Sequence, residues 1–170
     1  MNTVIDFVSD KRILIALFLL MVALNLSLSF FMPKDHALDL KFAYTFSEAY
    51  QSLAEMDSDT RKFYRFGIWA LDFPYMIVYS LFFAGILCRL WGSRALVVVP
   101  FLIAIFDFFE NLMVLRILKL FPEPNRLITL IASGFTTLKW LAVAIMFIII
   151  ILGIWKYYFS EKFSTSSSSS

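Results

Sequence analysis

The sequence predicts an all-α protein of the polytopic membrane class, with four transmembrane helices in a bundle and a short amphipathic helix in the first loop. Three observations predict it. Four apolar runs, 13–32, 66–88, 95–115 and 127–155, reach the about 20 residues needed to cross a hydrocarbon core ~30 Å thick. Basic residues punctuate their ends: Lys11 and Arg12, Arg65 and Arg89, Arg94 and Arg116, Arg126 and Lys156. Hydrophobic residues make up 61% of the chain against 16% charged, with mean hydropathy +0.80, too apolar for a soluble domain.

Taken in order, the first run is expected to be a retained helix. It is long for the apolar stretch of a secretory leader and no Ala-x-Ala cleavage pattern follows it. The loop 33–65 is the one sizeable soluble element. Within it Thr45-Phe46-Ser47-Glu48 has the Thr-x-x-Glu spacing of a capping box, in which each side chain satisfies a free backbone donor of the other residue. Phe46, Tyr50, Leu53 and Met56 follow near helical spacing, so an amphipathic helix is expected to end near Met56. Its apolar face needs either the membrane surface or the mouth of the bundle, as a lid over a polar site or as simple packing. Asp57-Ser58-Asp59-Thr60 offers caps for a helix that runs through Arg61 and Tyr64 into the second span. The fourth run exceeds the core thickness and must tilt or begin in the interface. Residues 1–163 then form a single domain, and the serine-rich tail 164–170 is expected to be disordered.

An even number of spans puts both termini on one side. Lys11, Arg12, Arg89, Arg94, Lys156 and Lys162 lie there, against Arg116, Lys119, Arg126 and the basic residues of the first loop. The two sides nearly balance under the positive-inside rule, and Lys11 and Arg12 ahead of the first helix place the termini in the cytoplasm. The net charge of +2 without a basic block excludes a nucleic-acid partner. The single Cys88 excludes an internal disulfide, and the lone His36 has no companion for a zinc site. No cofactor is expected.

Ionisable residues inside the apolar runs point to function. Asp72 lies in the second run, Asp107 and Glu110 in the third, and Lys139 in the fourth. Each costs roughly 2.5–3.5 kcal/mol at the centre of a membrane helix, so such residues face a protein interior and serve a role there. At 1.5 Å of rise per residue, Asp72 and Glu110 lie about 8–9 Å below the ends of their runs, and Asp107 and Lys139 lie deeper. Asp107, Glu110, Asn111 and Val114 share one helical face, as do Asp72, Tyr75, Met76 and Tyr79; Ser133, Thr136 and Lys139 line a side of the last run. Asn25 is a further candidate, and Pro74 frees a backbone carbonyl beside Asp72.

Candidate catalytic residues are therefore Glu110, Asp107, Asp72 and Lys139, with Asn111, Tyr79, Tyr75 and Thr136 as candidate ligand contacts. Lys139 is expected to pair with Asp107. Glu110, beside Asn111 and without a cation at its own level, is expected to carry a proton and exchange it. The arrangement suits acid–base chemistry on a lipophilic molecule, proton-coupled or ion transport, or a purely structural interhelical network. Lys139 competes for the carboxylates that a divalent metal would need, so no metal is expected. The expected partners are membrane lipids and a lipophilic ligand such as a lipid, quinone or isoprenoid, which the 18% aromatic content would accommodate.

Arg61-x-x-Tyr64, Leu71-Asp72-x-Pro74 with Tyr79, Phe106-Asp107-x-x-Glu110-Asn111 and Thr137-x-Lys139-Trp140 resemble a group of uncharacterised four-helix bacterial integral membrane proteins over about residues 45–145. The resemblance implies a bacterial cell membrane location and the same polar residues, and supplies no reaction.

Overall fold

The computed structural model describes residues 2–166. A short helix α1 (Asn2–Val8) precedes α2 (Lys11–Phe31), which Asp10 caps by accepting from the Arg12 N–H at 2.8 Å. The expectation of an amphipathic helix holds for α3 (Phe46–Glu55): the Thr45 N–H donates to Glu48 Oε2 at 2.7 Å, and the Glu48 N–H donates back to Thr45 Oγ1 at 3.3 Å. Asp57 accepts from the Thr60 N–H at 2.6 Å and opens α4 (Ser58–Gly67). These backbone donors hold the Glu48 and Asp57 carboxyls below the usual carboxylate range.

From α4 the chain passes through a π-helical turn (Ile68–Asp72) into α5 (Phe73–Trp91), one continuous rod. Pro74 explains the turn. Its ring would meet the Ala70 carbonyl of a regular α-helix, and the wider turn, with the Phe73 N–H reaching Ile68 O, moves that carbonyl aside. Gly92 ends α5 in the left-handed region at φ 61°, its N–H on Cys88 O at 2.9 Å. After a 3-10 turn (Ala95–Val97) come α6 (Val98–Leu120) and α7 (Arg126–Ser166). The last helix runs into the segment 164–170 that was expected to be disordered; residues 167–170 lie outside the described chain.

Four helices are long and apolar enough to cross a membrane: Lys11–Phe31, Ser58–Trp91, Ala95–Leu120 and Arg126–Tyr157. All four expose large apolar side chains, among them Leu19, Ile77, Ile105 and Ile148. In water such surfaces would be a liability, and against lipid they are the ordinary exterior.

Consecutive long helices run antiparallel, as their contacts show. A Cβ on Gly67 would meet Met32, and one on Gly85 would meet Val8 and Leu14; Asp72 bonds Asn111 and Tyr79 bonds Asp107; Glu110 bonds Thr136 and Lys139 pairs with Asp107. One end of the assembly therefore carries the loops 32–57 and 121–125, and the other, the terminal end, carries α1, the turn at Ala95–Val97 and the later turns of α7. At the loop end α3 turns Ala49 and Leu53 onto Tyr64, Ile68, Val114, Ile117 and Ala132. Of its two candidate partners, the apolar face of α3 takes the ends of the long helices. Burying a side chain such as Leu53 completely contributes about 1.5–3 kcal/mol.

Candidate functional site

Two buried hydrogen-bonded sets lie between the long helices. In the first, Lys139 Nζ stands 3.1 Å from Asp107 Oδ1 and 2.5 Å from Glu110 Oε2. Tyr79 donates to Asp107 Oδ2 at 2.8 Å, and Thr136 donates to Glu110 Oε1 at 2.7 Å. In the second, Asn111 Nδ2 donates to Asp72 Oδ2 at 2.7 Å. Tyr75 stands apart from both, accepting from Asn25 Nδ2 at 3.4 Å, with its ring 5.4 Å from that of Tyr79.

The expected position of Glu110 needs correcting. It does have a cation at its own level, and Lys139 comes closer to it than to Asp107. Side chains on a helix lean towards its N-terminus, and the N-terminus of α7 is at the loop end. The Lys139 ammonium is thus carried about a turn above its own Cα, from the level of Asp107 to that of Glu110. Glu110 is also fully buried, which leaves it the least able of the four to exchange a proton with solvent. The ammonium fills the space between the two carboxyls that a divalent ion would require.

A cavity of about 480 Å³ opens beside these sets, and Asp72, Tyr75, Tyr79, Asp107 and Lys139 stand on its wall. Glu110, Asn111 and Thr136 lie behind that wall and act on it only through Lys139 and Asp72. The cavity is layered. Asn25, Tyr79, Asp107 and Lys139 form a polar band, and one helical turn nearer the termini the same four helices present Met21, Phe83, Ile103 and Val143. Met146 and Phe147 extend this apolar floor. Towards the loop end the wall passes through Leu28, Ser29 and Met32 to Lys34, Ala37, Asp39 and Leu40.

Sequence reasoning missed the loop 33–45 as part of this site. Its 3-10 turn Leu38–Leu40 reaches in between the helices. The Asp39 carbonyl accepts from Lys139 Nζ at 3.3 Å and from Trp140 Nε1 at 3.4 Å. The Asp39 carboxyl accepts from Tyr64 at 2.7 Å, and Tyr64 in turn accepts from the Leu38 N–H at 3.0 Å. The Tyr44 N–H donates to Ser133 Oγ at 3.0 Å; burial pushes the Tyr44 phenol well above its ordinary range. The available signal was the apolar pair Ala37-Leu38 in a loop, and both are buried.

The fold and the site define an all-helical protein with four helices able to cross a membrane and a mixed polar and apolar cavity between them. Comparison with protein family models, curated proteins and solved structures finds no match for the chain.

Proposed function

We propose that this chain is a multi-pass membrane protein whose four long helices form a bundle, and that the cavity within it binds a lipophilic small molecule with a polar head. The observation that carries this reading is the layering of the cavity wall, with a band of polar side chains above an apolar floor on all four helices. Such a wall complements an amphiphile: hydrocarbon against Phe83, Val143 and Met146, and the head at Asp72, Asp107 and Lys139. The volume falls in the roughly 300–1,000 Å³ range of small-molecule sites. Tyr79 and Lys139 both donate to Asp107 at the wall, so an ionisable group with its donors stands within reach of a bound head.

The sealed half of the network favours a second, structural role. Glu110 with Thr136, and Asn111 with Asp72, hold α5, α6 and α7 in register whether or not a ligand is present. For location we propose the bacterial inner membrane, with both termini in the cytoplasm and the loop 33–65 outside.

Mass spectrometry of lipophiles copurified with detergent-solubilised protein tests the binding reading. The wild type should carry a discrete species enriched over bulk lipid, and Val143→Trp, which fills the apolar floor, should lose it. Copurification of bulk lipid alone by the wild type would overturn the reading.

A further inference from the structure

We infer that the head taken by this cavity is a cation, a primary ammonium on a hydrocarbon chain, and that Asp72 receives it. The inference rests on the ligand-binding reading above and adds the chemical class.

Charge accounting disfavours an anionic head. The Lys139 ammonium donates to Asp107 Oδ1 and to the Asp39 carbonyl and is ion-paired with Glu110 Oε2. Its charge is already shared by two carboxyls, so it does not neutralise a ligand carboxylate or phosphate as well. The Tyr79 hydroxyl already donates to Asp107, and the Trp140 N–H to the Asp39 carbonyl. The other cation on the wall, Lys34, is exposed at the rim, where water solvates it. An anion at the polar band would face Asp72 and Asp107 without a free cation, which is costly in a medium of low dielectric.

Acceptors, by contrast, are in surplus. Three carboxyls, Asp72, Asp107 and Glu110, share the one ammonium of Lys139, and Lys139 pairs with only the latter two. Asp72 is 7% exposed and stands on the cavity wall, and Asn111 satisfies its Oδ2. Among the described residues its Oδ1 has no hydrogen-bond partner. The rings of Tyr75 and Tyr79 line the same cavity, and aromatic faces attract a cation that has left water. An ammonium supplies both missing elements, the positive charge and the donors. Its chain then follows the wall one turn down, from Tyr79 to Phe83 and from Lys139 to Val143.

Equilibrium binding of dodecylamine, dodecanol and dodecanoate to the full chain in nanodiscs, corrected for empty nanodiscs, tests the assignment. The three share one chain and differ in the head. The amine should bind at least about tenfold tighter than the alcohol, as expected for a hydrogen bond to a buried charge, and the carboxylate should bind weakest. Asp72→Asn should remove the advantage of the amine while the alcohol still binds, which shows that the variant is folded. Equal binding of all three, or preference for the carboxylate, would overturn the ammonium assignment and leave the lipophile reading standing. Failure of all three to bind above empty nanodiscs would overturn both.

Discussion

Lys139 places three acceptor oxygens around one ammonium, and two of them belong to carboxyls on α6. Removing a partner from a buried ion pair leaves charge without compensation and costs about 3–5 kcal/mol. Lys139→Ala should lose stability on that scale. Adding Asp107→Asn should recover only part of the loss, because Glu110 is still unpaired, and adding Glu110→Gln as well should recover most of the rest. Chemical denaturation in detergent across the set of variants measures this coupling, and strictly additive losses would reject it. The pairing of Lys139 with Asp107 was legible because periodicity put both on inward faces at similar depth. The stronger approach to Glu110 was not, because depth was counted between Cα positions, and a lysine stem moves its charge by a whole turn. Asp39 was beyond reach for another reason. Nothing local tells a loop residue that its carbonyl will meet a lysine 100 positions away.

The elements divide in the same way. Both caps around α3 and α4 were legible, since Thr45 with Glu48 and Asp57 with Thr60 satisfy backbone donors within one turn. The carbonyl freed by Pro74 was also legible, while the form the backbone takes there, a π-helical turn ahead of the proline, was not. The helix α1 was missed entirely: seven residues carry too little periodicity to stand out, and isolated helices of that length are unstable. Packing holds it, with Ile5 buried against Ala84 and Val97. Gly85 makes the approach possible, since a Cβ there would lie 2.4 Å from the Val8 carbonyl oxygen and 2.8 Å from Leu14 Cδ2. Backbone cannot yield as a flexible side chain can, so Gly85→Ala should destabilise by about 1–3 kcal/mol. Gly134 has open space around its missing Cβ, so Gly134→Ala in α7 should be neutral or stabilise by up to ~1 kcal/mol through helix propensity. Melting curves of the two variants in the same detergent check the contrast, and equal shifts would show that α1 does not press on α5.

Across the whole molecule the two ends differ in ways that bear on how a ligand would arrive. The terminal end is closed by α1 against α5 and by Trp91, whose Nε1 donates to the Ile149 carbonyl at 3.2 Å. The loop end holds the rim of the cavity, with Lys34, Asp39 and Leu40 on its wall. On the proposed function, orientation would decide which leaflet supplies the ligand. Charge alone separates the ends poorly, and several cations are already engaged: Arg94 pairs with Asp6, Lys62 with Asp59, and Arg61 donates to the Leu53 and Met56 carbonyls. Lys11 and Arg12 directly precede the first long helix, the place where basic residues most often fix orientation, so the rim should face outwards. In a Cys88→Ser background, a cysteine at exposed Asp35 should react with a membrane-impermeant maleimide in intact cells. A cysteine at Ser93, exposed at the terminal end, should react only after the membrane is permeabilised. The reverse pattern would turn the molecule over. The cavity and its polar band would be unchanged, but the ligand would then come from the cytoplasmic leaflet.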